Sequence, residues 1–487
     1  MKTYQDLLYV NENEMDKLEF IKSAIAEYKS SDLYKNAVTA QKYYDKQNVT
    51  ISEYKRLLYT LEGNLREDTT YSANYKLISG WFSLFVDEQN QYLLSNGAHW
   101  QNDKTSEKLG TPKKQFDTQL QDAGLKALIG GRAYGFWNLD HVDVFGATEF
   151  VPLEDEEDGA LKAGIRFWQV SSDKPIRATL YEMDGYTDYI WGEKDRGNKI
   201  DFEAAGEVLF DKRSYKLFTR TSEADGKEIY DSENYPSFPI VPLFANASKQ
   251  SEIVGIREQI DCYDLIKSGY ANNVDDASII YWLIQNAGGM DDIDLRKFLD
   301  RIKTVHGAVV DEDGATAEAH TMDAPYMSRE ALLARLRDDM FRDFMAVDVD
   351  KVAAGNVTAT QIKASFFFLD MKCNKYEYQI LKFIGGILEL AGITDETPSF
   401  TRDALINTSE EINAVLSAAQ YLSEEYITEK VLTLLGDGDK AEDMINKINE
   451  ENMEKFDNLL KAQEQAKAQQ EEQPEEGEEA QVTLEES

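Results

Sequence analysis

Between positions 362 and 390 apolar residues step along the chain by 4, 3, 4, 3, 4, 3, 4 and 3: Ile362, Phe366, Leu369, Cys373, Tyr376, Ile380, Phe383, Ile387 and Leu390. That spacing places every one of them on the same side of an α-helix. The stripe covers about four heptads, or roughly 40 Å of helix at about 1.5 Å per residue. Phe and Tyr crowd its seam, which predicts a long core helix packed on neighbours rather than a self-associating coiled coil. Any fold for this chain must supply a groove of that length.

The stretch before it, "DVDKVAAGNVTATQIKAS" (348–365), is bland. It separates the long helix from a helical run carrying Leu333, Leu336, Met340 and Phe344, with Pro325 as a start signal. It contains no nucleophile, metal ligand or phosphate cradle. Upstream, residues 12–47 read as helix, with Leu18, Ile21, Ile25 and Tyr28 at helical spacing. Residues 74–97 read as a second apolar helical run. A third begins near Thr118 and passes through "LKALIGGRAYGFW", where the glycine pair and aromatics predict a change from helix to strand.

From about 145 to 245 the period falls from 3.6 to 2, with turns at "DEEDG", "MDG", "KDRGN" and "EADGK". The β-rich module closes on "NYPSFPIVPLFAN", whose prolines imply an extended crossing segment. A long helix is predicted next, with Ile253, Ile256, Ile260, Tyr263, Ile266 and Tyr270 on one face. Residues 278–322 read as a small separate unit, ending in a hairpin over 304–322 with Asp313-Gly314 at the turn. His306 and His320 would face each other across it. After the long helix come one short strand, a capping box at Thr408 and Glu411, and two or three helices broken at "GDGD". A Gln/Glu-rich tail, predicted to be disordered, begins near Gln463.

Charge narrows the function. The chain has 487 residues, with 52 Lys+Arg against 90 Asp+Glu and a net charge of −38. Only a small share of that excess lies in the tail. A folded surface so negative repels nucleic acid and anionic membrane. It serves solubility, or it lets a polyanion pass without holding it. Two cysteines, Cys262 and Cys373, in apolar helical runs argue for a reducing compartment. "MKTYQDLLYVNENE" is no signal peptide, and "FIGGILELAGI" is too short to span a bilayer.

The search for chemistry returns little. The four histidines lack metal-ligand spacing. "DEDG" lacks the first Asp and closing Glu of a calcium loop. "GGRAYG" has neither the dinucleotide nor the P-loop spacing, and no nucleophile elbow is present. Basic patches with interleaved aromatics are missing. Neither cofactor nor metal is expected, and the pattern is that of a protein acting by shape and assembly.

The order of motifs resembles the portal proteins of tailed double-stranded DNA bacteriophages, in the branch typical of phages of Gram-positive hosts. The resemblance runs over residues 40–455. Its early marks are "QKYYDK" (41–46), "NYKLISGWFSLFVDEQNQYLLSNG" and "ALIGGRAYGFW". The fullest match is "FPIVPLFAN" followed by "SEIVGIREQIDCYDLIKSGYANNVDD". "NVTATQIKA" stands in the place of the small-residue loop before the family's long helix, and "FTRD" with Asn407 resembles its returning strand. The chain departs in lacking a Gly after Tyr43-Tyr44 and in having Thr358-Ala359-Thr360 where Ser-Gly is common.

The resemblance implies an α+β portal fold: an α/β wing, a two-helix stem, a small α/β clip, a long spine helix and a helical crown. The wing would be 1–245 with a returning strand at 395–410, and the stem helices 246–277 and 326–346. The clip would be 278–325, the tunnel loop 347–360, the spine 361–394, the crown 411–462 and the acidic tail 463–487. It implies a dodecameric ring at one capsid vertex of the virion, with double-stranded DNA passing non-sequence-specifically. Partners would be the terminase large subunit, head–tail adaptors, and major capsid and scaffold proteins, without a membrane. Synthesis would be in the bacterial host cytoplasm. The subunit would not be an enzyme, since ATP hydrolysis belongs to the motor.

Site residues follow from that frame. In the loop they are Lys351, Asn356, Thr358 and Thr360. In the clip they are Trp282, His306, Asp313 and Gly314. Phosphate-binding cations would trap a sliding duplex, so the stem acids Glu252, Asp261, Asp264, Asp338 and Asp339 are expected to divide between channel wall and subunit contacts. For Lys351, a phosphate contact and a salt bridge to Asp348 or Asp350 both stay open. So do two other readings of the chain: a phage structural or scaffolding protein without a channel, and an enzyme with an unrecognised site.

Overall fold

The computed structural model describes residues 1–59, 64–67, 74–102, 104–192, 207–208, 212–221, 228–277, 281–285, 293–294, 296–298, 316–320, 326–353, 359–402, 408–435 and 438–471. The predicted helix over 12–47 is three: α1 Tyr4–Glu12, α2 Lys17–Ser30 and α3 Asp32–Tyr44. Local caps cut it. Asp16 accepts from Leu18 N at 2.8 Å and Ser31 from Tyr34 N at 3.3 Å, while Glu14 turns the chain with φ 50°. Asn48 caps α4 Val49–Glu53, and the strands β1 Leu57–Tyr59 and β2 Leu65–Glu67 follow.

The predicted run over 74–97 is helical only as α5 Trp81–Leu94, because the chain before it is extended. After α6 Lys104–Lys108 and α7 Phe116–Gly130, Gly131 (φ 83°) makes the expected change to strand. A Cβ there would come within 2.7 Å of Ser251 N, so glycine is required twice over.

Strands β3 Arg132–Asn138, β4 His141–Gly146 and β12 Ile240–Phe244 form an antiparallel sheet in the order β12-β3-β4. β5 Phe150–Glu154, β6 Leu161–Trp168, β7 Ile176–Glu182, β8 Gly185–Trp191 and β9 Glu207–Val208 form a five-stranded meander. β10 Lys216–Thr221 pairs with β11 Glu228–Glu233. β12 is an edge strand whose Pro242 lacks an N–H, a device that discourages further strand pairing.

Two cores serve these layers. Phe20, Ile21, Ile25 and Tyr28 of α2 pack on Val151, Leu153, Ile165 and Leu180 of the meander. The other core joins α5, α7 and the three-stranded sheet to the long helix, α11. The chain runs to α11 through α8 Arg257–Ala277, β13 Tyr281–Gln285, β14 Thr316–His320, α9 Tyr326–Phe344 and α10 Val349–Ala353. α11 spans Ala359–Ala391, and its predicted stripe is buried from Phe366 to Leu390, with Ile380 and Ile387 at 0% exposure. The helix can lie close to the sheet because position 135 is glycine: a Cβ there would sit 2.5 Å from the Phe383 ring. α12 Thr408–Ser417, α13 Glu424–Leu435 and α14 Ala441–Glu471 end the described chain. Thr408 opens α12 as its first residue rather than capping it from outside.

Two compact units emerge, Met1–Val349 with Phe366–Ala404, and Asp350–Ser365 with Leu405–Ser487. The first contains both cores. Among the described residues of the second, Ala441 alone is buried, while Tyr421, Tyr426, Met453 and Phe456 are exposed.

Candidate functional site

The helix expected from 251 begins at Arg257, because Ser251 and Glu252 are drawn into other contacts. Ser251 Oγ donates to Ile129 O at 2.5 Å and Glu252 N to Leu128 O at 3.1 Å. Ile253 and Ile256 lie in the turn that leads into α8, where Ile253 O accepts from Ile256 N at 3.2 Å and from Arg257 N at 3.1 Å, and both side chains are buried.

On α8, Asp264, Ser268 and Asn272 follow one another every fourth residue and are 0%, 4% and 4% exposed. They accept hydrogen bonds from alternate backbone amides of the extended segment before α5. Ser79 N reaches Asp264 Oδ1 at 3.0 Å, Leu77 N reaches Ser268 Oγ at 3.0 Å and Tyr75 N reaches Asn272 Oδ1 at 2.7 Å. The spacing is physical. Four helical residues rise about 6 Å and two extended residues about 6.6 Å, so the two series keep step over three rungs. An extended strap that would otherwise bury unpaired N–H groups is thereby satisfied by side chains. Asn48 Nδ2 donates to the other oxygen of Asp264 at 2.8 Å. Burial pushes the Asp264 carboxyl up from the usual carboxylate range, and the bonds from Ser79 and Asn48 oppose that shift.

One turn earlier, Asp261 accepts from Tyr43 OH and, at 2.8 Å, from Thr50 Oγ1. Glu252 pairs with Lys372 of α11 at 2.8 Å, with both side chains about one-seventh exposed (14% and 15%). Each of these carboxylates has partners within its own chain: Asp261 and Asp264 bond to residues between Tyr43 and Ser79, and Glu252, which precedes α8, to Lys372 of α11.

α9 handles charge otherwise. It bears four arginines, at 329, 335, 337 and 342, and four acids, Glu330, Asp338, Asp339 and Asp343, so it is neutral. Asp339 lies 2.9 Å from Arg335 Nε and 3.3 Å from Arg342 Nη1. Asp338, half-buried, also has partners. Arg337 Nη2 meets Asp348 at 2.9 Å, and Arg329 Nη1 donates to Gly269 O on α8 at 3.4 Å. By contrast α8 has two cations against five acids.

The junction between α9 and α10 is clamped by a group that sequence reasoning missed. Met345 (φ 63°) ends α9, with Met345 N on Arg342 O and Ala346 N on Phe341 O. Glu88 of α5 accepts from Val347 N at 2.9 Å, and Lys372 Nζ donates to Phe344 O at 3.1 Å while lying over the Phe344 ring. Burial pushes the Glu88 carboxyl up to about 7 and draws the Lys372 ammonium down, which Glu252 opposes. The sequence offers little signal for this clamp, since Glu88 stands beside Asp87 and Lys372 is one of four lysines on α11.

Of the loop residues, Lys351 is exposed on the one-turn helix α10, and Asp348 is paired with Arg337. Thr360 lies in the first turn of α11; Asn356 and Thr358 fall outside the described residues. In the segment 278–325, Trp282 is on β13 opposite Ala319 of β14, and Tyr281 is opposite His320. The strand with His320 thus pairs with the apolar run at 281–285, and the first arm and turn of the hairpin expected over 304–322 lie outside the described residues. His306, Asp313 and Gly314 lie outside the described residues. Among the described residues no group of three metal-ligating side chains occurs, and no helix is long and apolar enough to cross a membrane.

A two-helix hairpin held to a mixed α+β body, a small strand pair between its arms and a long helix behind it define a portal-type subunit. The chain belongs to the family described as "Phage portal protein, SPP1 Gp6-like", which matches residues 25–474. It is 22% identical over 431 residues to the portal protein of Clostridium phage phiCD119, covering 82% of this chain and 88% of that one. It is likewise 22% identical over 403 residues to the portal protein of Bacillus phage SPP1, covering 77% and 76%. Similar solved structures include a chain of the virion of a native gene transfer agent particle, with TM-score 0.44, 10% identity and coverage of 82% and 93%. Another is from the neck of the native particle computed with C12 symmetry, with TM-score 0.40, 12% identity and coverage of 72% and 87%.

Proposed function

We propose that copies of this chain form the ring-shaped channel at one vertex of a phage capsid, through which viral DNA is packaged and ejected. The observation that carries this reading is the family match over residues 25–474, which includes both stem helices, the segment between them and α11. Segment 278–325 is the docking surface for the terminase large subunit and afterwards for head–tail adaptors. Capsid and scaffold proteins surround the wing, and twelve copies complete the ring. The subunit itself has no catalytic step: the motor hydrolyses ATP and the ring supplies a path.

The stem chemistry supports a wall that does not grip. A phosphate contact strengthens when a free cation releases counterions from the duplex. Arg335, Arg337 and Arg342 each meet a carboxylate of their own chain, and Asp261 and Asp264 of α8 are bonded within it. Balanced charge replaces the bare acidic wall as the means of avoiding capture.

Negative-stain images of the purified chain test the reading. A closed ring with an axial hole about as wide as a DNA duplex is expected; monomers or open filaments at all protein concentrations would overturn it.

A further inference from the structure

The outward face of α11 is unlike the rest of this chain. Opposite its buried stripe, Phe367 and Phe368 are 56% and 58% exposed, Met371 40% and Tyr378 59%. Phe367, Met371, Asn374, Tyr378, Lys382 and Gly385 follow at intervals of 4, 3, 4, 4 and 3, so they share one side of the helix, and Lys375 flanks it. Lys382 Nζ lies 4.4 Å from the centre of the Tyr378 ring. Gly385 leaves open space where a side chain would stand. From 367 to 385 this face carries Lys382, with Lys375 flanking it on one side and Asp370 and Glu377 on the other. The nearby acids Asp370 and Glu377 lie off it, at 2.8 and 2.7 Å from Arg402. The patch is thus aromatic, apolar and basic over about 27 Å of helix, at about 1.5 Å per residue.

We propose that this face, Phe367 to Gly385 of α11, is the seat of an acidic, partly apolar face of the adjacent copy of the same chain. Contiguous exposed apolar side chains of this size mark an interaction surface. Charge selects the occupant. With a net charge of −38, another copy is the complementary surface in greatest supply. The contact is heterologous: the face received is acidic, and this one carries Lys382 and Lys375. A heterologous contact whose rotation closes yields a ring. The inference rests on the ring proposed above for its geometry and assigns one side of the contact that builds it.

The test uses the full chain and two variants, Phe367→Ser/Met371→Ser/Tyr378→Ser and Lys375→Glu/Lys382→Glu, with native mass spectrometry and light scattering over a range of concentrations. All five positions are exposed, so the thermal midpoint of the monomer should not move. The serine variant is expected to remain monomeric where the parent is a closed oligomer. Charge reversal should raise the concentration needed for assembly by roughly tenfold, and salt should partly undo that shift. A photo-crosslinker at position 371, in oligomers mixed from two isotopic forms, should join peptides of different copies. Variants that assemble like the parent, or crosslinks only within one copy, would overturn the inference and leave the ring reading standing. Variants that assemble normally but lose retention of a DNA duplex would assign the face to nucleic acid instead. A parent that never assembles would overturn both.

Discussion

Asp264 on α8 and Asp339 on α9 belong to the two helices of one hairpin, yet they are held in opposite ways. Asp264 is fully buried and takes Ser79 N and Asn48 Nδ2 from its own chain. Asp339 sits at the surface between Arg335 and Arg342. The first is an acceptor in a satisfied buried network, and the second is half of an exposed ion pair. What separates them is the surroundings, since the Asp264 face of α8 is covered by the strap and by the segment around Asn48, while α9 carries its ion pairs at the surface. An acid at helical spacing says nothing of this until its cover is known.

Mutation should break the comparison in graded steps. The largest effect belongs to Lys372→Met, which leaves Glu252 and Glu88 buried without their cation. A loss of about 3–5 kcal/mol is expected in urea unfolding, and a loss under 1 would deny the clamp. Asp264→Ala strands two buried donors and should cost about 3 kcal/mol. Asp339→Ala, its counterpart on α9, should cost no more than about 0.5. Equal losses would erase the distinction between the helices.

A pH effect comes next. Folding lifts the Glu88 carboxyl to about 7, so the folded chain binds a proton there that the unfolded chain releases at lower pH. Its contribution to stability is therefore full in acid and lost as pH rises through about 7. Asp264, also raised by burial, acts with the same sign. Glu88→Gln keeps an oxygen for Val347 N–H and removes that titration. It should flatten the decline in stability between about pH 5 and 8 by about 2 kcal/mol; an unchanged slope would place the titration elsewhere. The smallest effect is at the end rung: Asn272→Ala should cost about 1 kcal/mol and speed exchange of the Tyr75 amide, while sparing that of Ser79.

Much of this was legible before the structure. The stripe from Phe366 to Leu390 is an unbroken period, and burial follows it residue by residue. Gly130-Gly131 announced the passage from α7 to β3 because only glycine suits φ 83° beside the Ser251 backbone. The illegible parts have a common cause. Period 3.6 finds the apolar face of α8 but not the partner of its polar positions, so Asp264 is expected at the channel wall or a subunit contact and the period singles out neither Ser268 nor Asn272. The strap at 74–80 looked helical because its apolar residues fit the run that follows. The two breaks within 12–47, at Asp16 and Ser31, depend on single capping side chains that a window of apolar residues passes over.

In a channel built from this chain, Asp261 and Asp264 of the first stem helix, and Glu252 just before it, are held by partners of their own copy and do not face the wall as free carboxylates. An image reconstruction of the assembled protein at side-chain resolution tests it most directly. The predicted result is a closed ring in which the Asp264 carboxylate meets Ser79 of its own copy. An Asp264 side chain lining the axial opening, or an assembly without such an opening, would contradict it.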